Sequence, residues 1–146
     1  MIEPDFFDTN ILLYAEIDDG TQKHQIAKEL VKKTIVSGDP HINAQVINEF
    51  TVNVHRAGKA LPEVETIVNE FLENFTAHPL AIHICQNAFR ITRRYAFSFW
   101  DSLIVAAALD AGCTTLYTED LQDGQIIDGI LTVRNPFVTK NEEGAE

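Results

Sequence analysis

The stretch Phe6-Phe7-Asp8-Thr9-Asn10-Ile11-Leu12 decides how this chain is read. An apolar pair runs into an acid, a hydroxyl and an amide, and an amphipathic run opens at once with Ile11-Leu12-Leu13-Tyr14-Ala15. That is the pattern of a short buried strand that stops and turns directly into a helix. In open α/β sheets such junctions line the crevice left by strand carboxyl ends and helix amino ends, and sites are built there. Asp, Thr and Asn also cap helices and shape turns, so Asp8 taken alone has a purely structural reading. The functional reading requires other acids at equivalent points later in the chain.

Working outward, 146 residues make one ordinary domain with room for a single core. Hydrophobic residues make up 45% of the chain, nine Phe among them, which excludes disorder for all but the ends. No apolar run approaches the roughly 20 residues that span a bilayer, and Met1-Ile2-Glu3-Pro4-Asp5 lacks the basic start of a signal peptide. The expectation is a soluble, cytoplasmic protein with no membrane partner. Cys85 and Cys113 fit no metal spacing and read as buried thiols in a reducing compartment. The net charge of -11 removes any general attraction for phosphate backbones, so a nucleic-acid contact has to be local or helped by cations. Clustered carboxylates repel, and a divalent metal is a natural way to hold several together.

In chain order, Asp18-Asp19-Gly20-Thr21 reads as turn and cap, and Ile26, Ala27, Leu30, Val31 and Ile35 mark the helix after it. His41-Ile42-Asn43 is a second short strand, and a helix with Ile47, Phe50 and Val54 on one stripe follows, carrying Glu49 near its start. Leu61-Pro62-Glu63 opens a helix whose apolar period, Val64 to Phe75, is the cleanest in the chain and reads as packing. His78-Pro79 breaks it, and Leu80-Ala81-Ile82 is expected as a small edge segment. Another stripe, Ile84, Ala88, Ile91 and Tyr95, carries Arg90, Arg93 and Arg94 on or beside its exposed face. Ser98-Phe99-Trp100-Asp101 opens a strongly apolar helix closed by Gly112. Thr114 to Tyr117 reads as a third buried strand running into the acidic turn Thr118-Glu119-Asp120, and Leu131-Thr132-Val133 as a last strand. Residues 1–139 are expected to be one domain and Lys140 to Glu146 a polar, mobile tail. Strands alternating with helices indicate a three-layer α/β/α sandwich around a central, mostly parallel sheet.

Glu49, Asp101 and Asp120 now meet the condition set by Asp8, since each lies at or near the start of a helix or the end of a strand. If those ends gather at the carboxyl edge of one parallel sheet, four carboxylates face one crevice. Hard oxygen ligands without His or Cys select Mg²⁺ or Mn²⁺ over zinc. Such a cation activates water and stabilises the leaving oxygen in phosphodiester hydrolysis. Each acid keeps a bland reading beside this one: Asp101 as the far half of a capping box with Ser98, Glu49 as a solvated helix acid, Asp120 as part of a solvated turn.

The residues also carry a resemblance. Phe7-Asp8-Thr9-Asn10-Ile11-Leu12-Leu13-Tyr14-Ala15 resembles the first motif of PIN domains, especially the VapC type of toxin ribonuclease. Asn48-Glu49-Phe50 resembles the second motif, Trp100-Asp101-Ser102-Leu103-Ile104-Val105-Ala106-Ala107-Ala108 the third, and Thr118-Glu119-Asp120 the fourth. Val133-Arg134-Asn135-Pro136-Phe137 is similar to the closing segment. The resemblance implies an α/β/α sandwich, Mg²⁺- or Mn²⁺-dependent cleavage of RNA, a homodimer and a cognate antitoxin protein that blocks the site. It implies Asp8 and Asp101 as main metal ligands and Glu49 and Asp120 as completing the acid set. It implies Asn10, Ser102 and Thr118 as hydrogen-bonding supports of the carboxylates. The turn Leu121-Gln122-Asp123-Gly124 lacks the usual aromatic, which leaves Asp120, Glu119 and Asp123 all open as the fourth ligand.

Arg90, Arg93 and Arg94, with Tyr95, Phe97 and Phe99 nearby, are the nearest candidates for RNA contact. The plainer reading, which we favour, has the arginines complementing the carboxyl end of their helix and the aromatics filling the core. None of the five histidines shows ligand spacing. Two other function classes compete. A haloacid dehalogenase-like phosphatase also places an Asp after its first strand, but needs a second acid two residues on, where this chain has Asn10. A catalytically silent interaction module could use an acidic crevice to bind a partner's arginine.

Overall fold

The computed structural model describes residues 2–138. In chain order its elements are β1 (Pro4–Phe7), α1 (Thr9–Glu16), α2 (Gln22–Ser37), β2 (Asp39–Asn43), α3 (Ala44–Arg56), α4 (Leu61–Asn74) and β3 (Thr76–His78). Then follow α5 (Ile82–Tyr95), α6 (Phe99–Asp110), β4 (Thr115–Tyr117), β5 (Ile126–Ile127) and β6 (Leu131–Arg134). The strands form one six-stranded sheet in the order β3-β2-β1-β4-β6-β5. Every neighbouring pair is parallel except β5 with β6.

The winding of this sheet creates the crevice. From β1 the chain steps outward to β2 and β3, then returns past β1 to β4. Right-handed crossovers put the helices of outward and returning steps on opposite faces. α1 packs on α2 and α3, and α3 on α4, whereas α5 and α6 pack on each other. The result is the α/β/α sandwich expected from the sequence. The winding reverses between β1 and β4, and the gap beyond their carboxyl ends is where such sheets bind ligands.

Little chain separates the strands from their helices at that edge. Asp8 is the single residue between β1 and α1 and is the helix N-cap. Asn43 ends β2 and caps α3, its Oδ1 accepting the Val46 N–H at 3.1 Å. Ser98 caps α6 by accepting the Asp101 N–H at 3.1 Å. α6 is buried on nearly every side, from Ser102 through Ala108, so its sequence carries no amphipathic period. On the α1–α4 face, the Phe7 ring meets Phe75 at 5.8 Å and Tyr117 at 5.1 Å, and Phe71 bridges Phe75 to Phe50.

Three local expectations change. The edge strand lies at Thr76–His78 rather than at Leu80-Ala81-Ile82. Phe75, the C-cap of α4, is buried in the aromatic cluster and brings the chain to the sheet four residues early; Pro79, lacking an N–H, then ends the pairing. Ile82 instead opens α5 and is exposed. The clean apolar period of α4 buries only Val64 within the helix and leaves Leu61 and Leu72 about half exposed. The histidines that looked scattered include one pair brought together by β2 and β3: the His41 and His78 rings stack, with Nδ1 and Nε2 2.8 Å apart.

Both cysteines are free. Cys113 is buried, which pushes its thiol up to about 12, and Cys85 is half-buried. Among the described residues no helix is long and apolar enough to cross a membrane. The tail expected from Lys140 to Glu146 lies outside the described residues.

Candidate active site

Asp8 stands at the head of the crevice. Its Oδ1 accepts the Thr9 N–H at 2.7 Å, and its Oδ2 accepts the Thr118 hydroxyl at 2.8 Å. The residue is only 7% exposed. Burial raises its carboxyl from 3.8 to about 7, with the charges of Asp120 and Glu49 pushing the same way against the two hydrogen bonds. The capping role anticipated for Asp8 is therefore present, but it leaves a buried carboxyl with no counter-charge.

Thr118 ties two strand ends together. It follows β4, gives its hydroxyl proton to Asp8, and accepts the Asp120 N–H at 3.1 Å. Asn10, in the first turn of α1, donates from Nδ2 to Asp120 Oδ2 at 3.0 Å and lies 3.4 Å from the Thr118 hydroxyl. The three acids of this turn have different occupations. Glu119 accepts the Tyr14 hydroxyl and the Lys23 ammonium, each at 2.8 Å. Asp123 accepts the Asn135 N–H at 2.9 Å and so serves the loop. Asp120 alone is held by Asn10, and burial raises its pKa, with Asp101, Glu119 and Glu49 adding to the rise.

Glu49 and Asp101 approach from the flanks. Glu49, exposed on α3, accepts the Gln45 amide at 2.9 Å, a support that the sequence reading did not anticipate. A glutamine four residues before a glutamate on one helix was the available signal. Asp101 lies in the first turn of α6, half-buried, where its backbone N–H rather than its carboxylate serves the cap with Ser98. The four acids thus feel one another's charge: Asp120 senses Asp101 and Glu49, and Asp8 senses Asp120 and Glu49.

Two observations bear on a cation. Among the described residues, no lysine, arginine or histidine forms an ion pair with any of the four. No three His, Cys, Asp or Glu side chains among them are already gathered at metal-holding distance. The donor set is all carboxylate oxygen, and uncompensated repulsion is a sufficient reason for such groups to stand apart until a cation draws them in. In donor chemistry the residues fit a hard divalent ion.

The remaining candidates sit elsewhere in the network. Ser102 is fully buried and accepts the Thr92 hydroxyl at 2.8 Å, linking α6 to α5. Arg90 grips Asp128 through two nitrogens at 2.6 and 3.3 Å, and Arg94 lies 3.9 Å from the same acid. Arg93 is exposed and forms no ion pair among the described residues. Beside the acids, a pocket of about 450 Å³ is lined by Ala44, Gln45, Asn48, Glu49, Leu80 and Trp100.

Residues 6–122, a span that runs from β1 past the last of the four acids, match the PIN domain family. The chain belongs to that family. Solved structures similar to this PIN domain include a toxin–antitoxin complex from Klebsiella pneumoniae. It is 20% identical, with a TM-score of 0.67 over 91% of this chain and 98% of that one. VapC20 of Mycobacterium tuberculosis, described as a toxin that cleaves the sarcin-ricin loop, is 15% identical. Its TM-score is 0.61, over 80% of this chain and 91% of that one. VapBC2 from Rickettsia felis, bound to a DNA fragment from its promoter, is 17% identical. Its TM-score is 0.65, over 90% of this chain and 98% of that one. At these identities the likeness is one of fold. No curated protein matches the chain.

Proposed function

We propose that this PIN domain, one unit over residues 1–139, is a metal-dependent endoribonuclease that hydrolyses RNA phosphodiester bonds as the toxin of a toxin–antitoxin pair. The observation that carries the reading is a set of four carboxylates that sense one another's charge around Asp8, none ion-paired to a basic side chain among the described residues, with Asp8 raised to about 7. A buried carboxyl such as Asp8, repelled by neighbouring acids and paired with no cation among the described residues, costs stability and is a mark of a functional site. The neighbours add support, since one is described as a toxin that cleaves the sarcin-ricin loop and another as a toxin–antitoxin complex.

In this reading Asp8 and Asp101 hold Mg²⁺ or Mn²⁺, with Glu49 and Asp120 completing the set directly or through water. When bound, the cation supplies a Lewis acid for the phosphate and lowers the pKa of the attacking water. The chain does the rest. The Thr118 hydroxyl fixes one Asp8 oxygen and the Thr9 N–H the other, which sets the rotamer of the carboxylate before any ligand arrives. Asn10 orients Asp120, and Gln45 orients Glu49, so that either acid can accept a proton from water at the crevice. Asn10 is an amide bonded to Asp120, so no acid stands two residues after Asp8 to donate a proton, which counts against phosphatase chemistry.

An acidic crevice of this kind would be silenced by a partner that inserts an arginine, and an antitoxin acting this way, with the toxin as a homodimer in the cytoplasm, completes the proposal. The test is cleavage of a mixed RNA pool with Mg²⁺, Mn²⁺ or chelator, by wild type and by the Asp8→Asn and Asp101→Asn variants. Cleavage that survives chelator, or that both folded variants retain, removes the reading.

A further inference from the structure

The pocket beside the acids has a different chemistry from the site itself. Its wall is mainly apolar, built from Ala44, Leu80 and the face of Trp100, with the Gln45 and Asn48 amides and Glu49 as its polar members. Trp100 is 69% exposed although it lies one residue before Asp101, and Phe99 steadies the indole edge-to-face at 6.4 Å. What sets this indole apart is its place, on the same pocket wall as Glu49 and next in sequence to Asp101. Gln45 is almost fully buried; its amide donates to Glu49, and its amide oxygen, itself sealed from solvent, has no partner among the described residues. The wall therefore fits a planar apolar ring.

Charge narrows the choice. With a net charge of -11, the protein has no general attraction for RNA phosphates, and Arg90 is committed to Asp128. Affinity then has to come from the bases, whose stacking on aromatics is insensitive to net charge. Glu49 belongs both to the acid set and to this wall, so a ring held in the pocket keeps its own backbone at the acidic edge. The volume falls within the roughly 300–1,000 Å³ usual for small-ligand sites.

We propose that this pocket binds one unstacked nucleobase of a single-stranded RNA substrate. The ring stacks on Trp100 against Leu80, and the neighbouring phosphodiester is thereby presented to the acids. This rests on the ribonuclease reading and adds to it a determinant of where the strand is cut.

Trp100 is the chain's one tryptophan, so its fluorescence reports on the pocket directly. Short RNA oligonucleotides titrated into the wild-type protein in chelator should quench it, and oligonucleotides of the same length made abasic at every position should not. In cleavage with Mn²⁺, Trp100→Ala should raise KM about tenfold or more and shift the cleavage positions, and Trp100→Phe should restore most of both, because a smaller ring still stacks. Thermal melts of both variants establish that they fold, as the exposed indole leads one to expect. Equal quenching by abasic and normal RNA overturns the proposal, as does a folded Trp100→Ala variant with unchanged KM and cut positions. Quenching by a partner polypeptide with none by RNA would assign the pocket to a protein and overturn it likewise. Base-dependent quenching in a protein that cleaves nothing would uphold the pocket while removing the catalytic reading, so the two failures are distinguishable.

Discussion

Asp8 and Asp128 are both acids at the ends of short strands, and their surroundings drive them in opposite directions. Asp128, in the turn between β5 and β6 with φ at 54°, is bound by Arg90 and accepts the Tyr95 hydroxyl at 3.0 Å. Arg90 above all, with Tyr95 assisting, holds its carboxyl below the usual range. Asp8 is bound by a hydroxyl and a backbone N–H, both neutral, and burial pushes it up to about 7. The turn after β4 repeats the contrast at close quarters, where Glu119 is paired to Lys23 and Asp120, among the described residues, to no cation. An acid that the fold supplies with a cation is finished as structure. One that the fold hides without a cation has to be completed from outside.

The contrast predicts its largest effect at the uncompensated acids. Asp8→Asn and Asp101→Asn should each lower the rate of RNA cleavage by at least about two orders of magnitude, since each would weaken the hold on the cation that offsets the negative charge developing in the transition state. Gel-resolved single-turnover rates would measure this, and circular dichroism would establish that the variants are folded. An Asp128→Asn variant losing activity as severely would abolish the distinction between the two regions.

The same substitution should act on stability with the opposite sign. Asp8 in the folded protein titrates near 7 against an ordinary value of 3.8. Between those values the native state holds a proton that the unfolded chain has released, so native stability falls as pH rises through that window and stays low above it. Asp8→Asn removes that loss. In metal-free buffer at pH 8 the variant should therefore be more stable than wild type by about 1–2 kcal/mol, once the weakened hydrogen bonds to Thr118 and Thr9 are discounted, and the gain should vanish near pH 4. Mn²⁺ should raise the wild-type melting temperature and leave the variant's nearly unchanged. Urea midpoints across pH would decide; a variant that is less stable at both pH values would mean that Asp8 is as well compensated as Asp128.

Thr118→Val tests the neutral bond that substitutes for a cation. It keeps the side-chain shape and deletes the hydroxyl that fixes Asp8 and accepts the Asp120 N–H. About a tenfold loss of kcat with little change in KM is expected, as for supports of metal-binding side chains. If Thr118 only packs, kcat should stay within about twofold of wild type.

How much of this was legible in the letters follows from the same distinction. The strand-to-helix junctions at Asp8 and Asn43 could be read because cap, strand and apolar period agree within a few residues. The sandwich followed from alternation alone. What escaped was settled at long range. Phe75 fixed the start of β3 through contacts with Phe7 and Phe71, which no local pattern encodes. β5 is only two residues long and antiparallel; its one signal was the turn dipeptide Asp128-Gly129 between apolar residues, easily taken for loop. The acids could be named singly, but which member of the 119–123 turn faces the crevice depended on Tyr14, Lys23, Asn10 and Asn135, each far away in sequence.

The smallest expected effect is at the finished acid. Arg90 and Asp128 form a bidentate pair, but the arginine side chain is 43% exposed, so solvent screens most of the attraction. Arg90→Ala should cost at most about 1 kcal/mol in a urea titration, less in high salt, and Asp128→Asn about as much. Combining them should add little to either alone, because both delete one interaction. RNA cleavage by Arg90→Ala should stay within about twofold of wild type. A clear rise in KM with unchanged stability would place this guanidinium on the RNA instead of on Asp128. The line between compensated and uncompensated charge would then no longer divide structure from function in this protein.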